Sequence, residues 1–181
     1  MNSLQVKACM DVLLRGHVNI TFNVIPADEL NNVIKNVKSK FIYIVNKDPS
    51  YLSGSHFIVV AHLILHTYEV YDSLGVNVNM YDKTFFSKLQ KLHPNQNLTI
   101  HQPDYSYLCG GYCLRYIYFR LHGFSIQRTL STFYIHKNKN EMIVKCFLKC
   151  KFKRILNGLK YMNEHVKCRC VQSVLSPCQQ K

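Results

Sequence analysis

The sequence predicts an α+β domain, a small mixed β-sheet flanked by helices, with an aromatic-rich helix over residues 110–121 packed against the sheet. Three observations carry this. FIYIVN (41–46) and HFIVVAHLIL (56–65) are rich in β-branched and aromatic residues, and the alternating TYEVYD (67–72) follows directly, the pattern of neighbouring strands. Apolar residues at helical spacing lie before and after these runs. The chain of 181 residues, 48% of them hydrophobic, has no repeat and no Gly/Pro/Ser-rich break, so one core fits it. The expected domain spans 1–163, with 164–181 a basic, Cys-containing tail that lacks any clear period.

The elements follow in order. Residues 3–15 carry Leu4, Ala8 and Val12 on one face, with Ser3 placed to cap the helix and Gly16 to end it. NITFNVI (19–25) reads as a strand, and Pro26 then starts a helix whose acids sit in the first turn of ADELNNVIKNVK. After the strands over 41–46, 56–65 and 67–72, with turns near 49–54 and at His66, residues 81–92 read as a helix and LTIHQ (98–102) as another strand. Helices are expected at 110–121, 125–136 and 140–162.

The N-terminal stretch contains Asp11 where a secretion signal needs an unbroken apolar core, and no apolar run reaches 18 residues. A soluble, intracellular protein with no membrane partner is expected, its eight cysteines reduced rather than paired. The net charge of +13, from 23 Lys+Arg against 10 Asp+Glu, points to polyanionic partners, and residues 137–181 alone supply +9.

A cysteine is a good nucleophile at neutral pH only where something stabilises its thiolate. Cys109 sits between a Gln-Pro-Asp loop and the 110–121 helix, where unpaired N–H groups and the helix dipole favour negative charge. Gly110 and Gly111 leave room for a substrate backbone. His56 opens a strand directly after a Ser-Gly-Ser turn, and Asp72 closes the next strand. If the two strands pair as a hairpin, both residues meet at its open end, where the carboxylate can fix the imidazole tautomer. Gln102, seven residues before Cys109, offers an amide donor for an oxyanion, beside the Cys109 backbone N–H. Taken singly, each residue has a plain structural reading, a cysteine before a glycine being an ordinary small hydrophobe. The joint pattern is what points to a thiol hydrolase.

Gly54-Ser55-His56-Phe57, then Tyr71-Asp72-Ser73-Leu74-Gly75, then Gln102 and Cys109-Gly110-Gly111-Tyr112-Cys113-Leu114 resemble the adenain-type cysteine proteases of adenoviruses and Maverick-type elements, over roughly residues 19–125. That family shows Gly-x-His-Trp, an acid followed closely by glycine, and a glutamine about seven residues before Cys-Gly. The resemblance implies a papain-like/adenain-like fold with the nucleophile at a helix N-terminus, and the roles of base for His56, orienting acid for Asp72, oxyanion amide for Gln102 and nucleophile for Cys109. It also implies an endopeptidase that cleaves viral precursor (capsid or core) proteins after Gly-containing motifs during virion maturation, as a monomer in the virion and host nucleus, with double-stranded DNA and a peptide activator as cofactors and none bound covalently. Phe57 stands where the family has tryptophan. No cysteine lies between Cys9 and Cys109, so a disulfide-linked activator is not expected.

The basic segment Lys145–Lys160, with CFLKCKFKRILNGLK, reads on its residues either as a solvated amphipathic helix packed on the core or as a binding surface. The resemblance implies DNA binding there, by phosphate contacts from Lys149, Lys151, Lys153 and Arg154. Cys113 falls one turn beyond Cys109 and reads as core packing or a resolving thiol. His165, Cys168, Cys170 and Cys178 lack zinc-knuckle spacing, and no metal is expected. His62 lies about 20 Å along the strand from His56 at strand rise, too far for the same sulfur, and His101 is expected to face away from Gln102. Two other readings remain: a SUMO or ubiquitin-like deconjugating protease, which shares the triad, and a basic DNA-binding or capsid-associated protein with an inactive protease fold.

Overall fold

The computed structural model describes residues 1–34 and 39–157. Helix α1 (Ser3–Leu13) is held at its start by a reciprocal cap between Asn2 and Gln5, so Asn2 rather than Ser3 is the cap. Strand β1 (Ile20–Pro26) and helix α2 (Ala27–Val33) follow, then β2 (Lys40–Asn46), β3 (Phe57–Ile64) and β4 (Thr67–Tyr71). Helix α3 (Lys83–Lys91) is capped by Asp82, and a two-residue strand β5 (Asn95–Gln96) precedes α4 (Cys109–Leu121), α5 (Ile126–Leu130) and α6 (Lys137–Phe152).

The strands form one sheet in the order β1-β2-β3-β4-β5. β2, β3 and β4 make an antiparallel meander, while β1 and β5 add in parallel at the two edges. Parallel addition needs a crossover, which α2 and α3 supply. Alternation along β2 divides the core. Ile42 and Ile44 join α1, α4 and α6 on one face, and Phe41, Tyr43 and Val45 join α2 and α3 on the other. The expected α+β class is the one found.

Helix α4 lies between the sheet and α6, with nearly every side chain from Cys109 to Arg120 buried. Its far end is tied to the sheet by Glu69 of β4, which is fully buried and accepts from Arg120 Nε (2.8 Å) and Tyr116 Oη (3.0 Å). Removing one member of such a buried pair costs about 3–5 kcal/mol, so this anchor fixes the helix that carries Cys109.

Several boundaries differ from expectation. Residues 98–102 form no strand: the backbone N–H groups of His101 and Gln102 both donate to the Ser73 carbonyl (2.9 and 3.0 Å), so the segment clips onto the loop after β4 rather than joining the sheet. Gly75, at φ +66°, makes that approach possible, because a Cβ there would lie 2.9 Å from the Leu98 carbonyl oxygen. The helix expected over 125–136 stops at Leu130, and Thr132 turns back on Thr129 through its backbone and hydroxyl. The helix expected over 140–162 begins earlier and ends at Phe152; its last residues, 158–162, lie outside the described residues, as do 35–38 of the second helix and the 164–181 tail. The zinc candidates His165, Cys168, Cys170 and Cys178 fall in that undescribed part. Among the described residues, no helix is long and apolar enough to cross a membrane, and no group of three His, Cys, Asp or Glu is placed to hold a metal.

Candidate active site

Three chain segments converge at one end of the β3–β4 hairpin. The antiparallel register places Val59 opposite Tyr71, so residues just before β3 and just after β4 meet. Gly54, at φ +80°, turns the chain into β3, and a side chain there would collide with Asn46. His56 and Asp72 meet at this open end, with His56 Nε2 2.6 Å from Asp72 Oδ1. The first residue of α4, Cys109, lies near enough to His56 for each to shift the other's titration. Because Nε2 faces Asp72, Nδ1 is the ring nitrogen left for the sulfur. All three side chains are more than nine-tenths buried.

The carboxylate of Asp72 is heavily held. Oδ1 also accepts from the Leu74 backbone N–H (2.8 Å), and Oδ2 accepts from the Tyr81 hydroxyl (2.5 Å). Its backbone is clamped by buried Asn97, which accepts from the Asp72 N–H (2.8 Å) and donates to the Asp72 carbonyl (2.7 Å). Neither Tyr81 nor Asn97 was visible as a site residue in the sequence. Each acts across a loop, and no periodicity or motif links either residue to Asp72.

Electrostatics favour an ion pair. Burial pushes the Cys109 thiol up, but the hydrogen bond and charge of His56, with the backbone N–H groups of Phe57 and Gly110, outweigh it and hold the thiol below its ordinary value. Burial pushes the His56 imidazole down, while Asp72 and Cys109 together raise it to about 9. Burial raises the Asp72 carboxyl, and His56, Tyr81 and Leu74 bring it below its ordinary value. All three directions favour the charged forms of the groups, thiolate, imidazolium and carboxylate.

Gln102 sits on the segment clipped to Ser73. Its Oε1 accepts from the Ser73 hydroxyl (2.6 Å) and one Nε2 hydrogen goes to the Ser106 carbonyl (2.7 Å). The second Nε2 hydrogen has no partner among the described residues, and Gln102 lines the same cleft as His56 and Cys109, a cavity of about 620 Å³ walled also by Leu74 and Tyr107.

The glycine pair after Cys109 departs from expectation. A Cβ on Gly110 would lie 2.8 Å from Val6 Cγ2 of α1, and one on Gly111 would lie 2.8 Å from Leu148 Cδ1 of α6. The glycines admit neighbouring helices, not a substrate backbone. Cys113 is fully buried with Sγ donating to the Phe57 carbonyl (3.3 Å), and burial drives its thiol far up, so it packs the core. His101 is stacked against Tyr71 and Phe133, and burial and Arg115 lower it to about 4. His62 is buried in β3 beside Phe41 and Tyr68, with Nδ1 3.1 Å from the Thr67 carbonyl. Lys151, Lys153 and Arg154 are exposed at the C-terminal end of α6 and just beyond it, whereas Lys149 is half-buried; they lie outside the residues that line the cleft.

No protein-family model matches the sequence, and no curated protein matches it. Among solved structures, the crystal structure of the selenomethionine ASFV pS273R protease is similar over 77% of this chain and 66% of that one, with a TM-score of 0.50 and 15% sequence identity. The chain therefore spans slightly less than two thirds of that protease. At this identity the likeness is one of fold, and the mixed five-stranded sheet with helices on both faces is the fold that the chain shares with the ASFV protease.

Proposed function

We propose that this chain is a viral or transposon-encoded cysteine endopeptidase of the adenain type. The observation that carries the reading is the buried line Cys109–His56–Asp72 opening on a cleft, and the fold likeness to a viral protease supports it. The Cys109 thiolate attacks the scissile carbonyl, and the oxyanion is held by the free Gln102 Nε2 hydrogen and the Cys109 backbone N–H. His56, already protonated in the resting ion pair, gives its proton to the leaving amine. A thioester remains on Cys109, and neutral His56 then takes a proton from water to hydrolyse it. Asp72 holds the imidazole through Nε2 so that Nδ1 faces the sulfur. His56 thus acts first as an acid, a step that the sequence reading as a simple base did not specify.

In this reading the substrates are viral precursor proteins cleaved after Gly-containing motifs, in the virion and host nucleus. Double-stranded DNA is the cofactor, seated on Lys149, Lys151, Lys153 and Arg154, and any peptide activator binds without a disulfide. The exposed charges on and after α6 support the DNA assignment.

The test is labelling with a thiol-directed electrophile on a Gly-Gly peptide, comparing wild type, Cys109→Ala and His56→Ala, with and without DNA. Selective labelling at Cys109 that requires His56 is the expected result, and uniform slow labelling of all cysteines would overturn the reading. Ubiquitin-like fusion substrates, cleaved in preference to Gly-containing peptides, would instead identify a deconjugating protease.

A further inference from the structure

Helix α6 is built of lysines, asparagines and apolar residues, with Glu141 as its one acid. That acid does not face solvent. Glu141 is 8% exposed, and its Oε2 accepts from the Ser106 hydroxyl at 2.7 Å and from the Tyr112 hydroxyl at 3.4 Å. The Ser106 hydroxyl in turn accepts from the Leu108 backbone N–H (3.2 Å), and the Ser106 carbonyl accepts from Gln102 Nε2 (2.7 Å). The preceding residue, Asn140, is 1% exposed and donates from Nδ2 to the His101 carbonyl (3.0 Å). Two consecutive residues of α6 therefore grip the two ends of the segment 101–106, which carries Gln102 and leads into Cys109.

We infer that Glu141, acting through Ser106, is a positioning residue for the oxyanion-binding amide of Gln102. The inference rests on the protease reading above. With the Ser106 hydroxyl committed to Glu141, the Ser106 backbone is fixed, and its carbonyl takes one Nε2 hydrogen of Gln102. The other hydrogen is then aimed rather than left to rotate. The Ser73 hydroxyl holds the opposite side of the same amide through Oε1, which prevents a flip. An oxyanion donor stabilises charge only when its direction is set before the reaction, and a misplacement of about 1 Å costs on the order of a hundredfold in rate. The buried carboxylate is needed because Ser106 lies in a loop with no strand or helix of its own to hold it.

Two reactions of the same sulfur separate positioning from nucleophile activation. Alkylation of Cys109 by iodoacetamide needs the thiolate and no oxyanion, whereas acylation by p-nitrophenyl acetate passes through a tetrahedral oxyanion without requiring peptide recognition. In Glu141→Leu, which removes the acceptor, and Ser106→Ala, alkylation rate and its pH profile should match wild type, while the acylation rate falls about tenfold or more. Gln102→Ala should lose at least as much, and Glu141→Leu on that background should lose nothing further, since residues acting as one unit are not additive. Ser106→Thr, which keeps the hydroxyl, and Glu141→Gln, which keeps an acceptor oxygen, should retain most of the acylation. If the melting temperature of Glu141→Leu falls below that of the assay, Ser106→Ala carries the comparison alone. Acylation at wild-type rate in Ser106→Ala, or equal losses in both reactions, would overturn the inference. A wild-type Cys109 no more reactive than an ordinary thiol in either reaction would overturn the protease reading itself.

Discussion

The Tyr81 hydroxyl is the sole partner of Asp72 Oδ2 among the described residues, so Tyr81→Phe isolates its contribution to holding Asp72. A hydrogen bond to a charged acceptor contributes about 1.5–3 kcal/mol, and the 2.5 Å distance with Asp72 only 1% exposed places this one within that class. A loss of about 2 kcal/mol lowers Tm by about 4–8 °C in a domain of this size. The pH dependence distinguishes a hydrogen bond to the carboxylate from simple loss of packing. Asp72 has a folded pKa below its ordinary value, so its stabilisation is present above about pH 4 and is lost as pH falls through the folded value. Tyr81 contributes to that depression, and its removal raises the folded pKa. Thermal melts of both proteins should therefore differ by a constant amount near neutrality, and the gap should close at acid pH once both carboxyls are protonated. At neutral pH the variant should also lose kcat with little change in KM, because the imidazole is less firmly oriented. A Tm deficit independent of pH, or none at all with full activity, would refute Tyr81 as a support for Asp72.

The activity profile should be bell-shaped, with its alkaline limb near pH 9 where His56 loses its proton and its acid limb below the ordinary thiol value; a Cys109 alkylation profile with the midpoint of a free thiol would contradict the ion pair. His56→Ala leaves burial as the dominant influence on Cys109, so its thiol should rise above the ordinary value, and peptide hydrolysis should fall on the order of 10⁶-fold, measured by steady-state cleavage. Gly111→Ala gains about 1 kcal/mol of helix propensity but forces a methyl to within 2.8–2.9 Å of Leu148 and Val144, a clash costing about 1–3 kcal/mol, so chemical denaturation should show a net loss. If DNA seats on α6 and the turn beyond it, Lys153→Ala and Arg154→Ala should each reduce the salt slope of binding by about 1, read by fluorescence anisotropy across salt concentrations.

How far the site was legible depended on how its parts are encoded. His56, Asp72 and Cys109 stand at element ends, and element ends are marked by local signals: a Gly-containing turn before a β-rich run, the last residue of an alternating run, a glycine pair opening an aromatic helix. Hairpin pairing then brings the first two together by geometry alone, and the 2.6 Å contact is where strand pairing would put it. Gln102 was legible through its interval to Cys109 but not through its local structure. LTIHQ alternates like a strand, yet its amides are taken by the Ser73 carbonyl, and the strand that does form, Asn95–Gln96, has none of the β-branched residues that mark one. Propensity was overridden there by a tertiary contact that local sequence does not encode.

The residues that were missed share a different property. Tyr81, Asn97, Ser106 and Glu141 hold Asp72 and Gln102 by hydrogen bonds that span loops or join separate elements. Such bonds follow from where the backbone goes, so they become readable only once the fold is known. Glu141 is the instructive case. In a helix otherwise free of acids and rich in lysine, a single acid looks like a surface residue balancing its neighbours. Its burial inverts that meaning: taking a carboxylate out of water is costly unless it is hydrogen-bonded, and the hydroxyls of Ser106 and Tyr112 meet that requirement on the side facing the segment that carries Gln102. The same helix thus presents Lys151 to solvent and turns its one acid toward Ser106, so α6 both carries part of the basic surface and supports the segment that holds Gln102. A polyanion bound at the C-terminal end of α6 would lie about two to three turns from Glu141, at 3.6 residues per turn, on an element already hydrogen-bonded to the loop that aims Gln102.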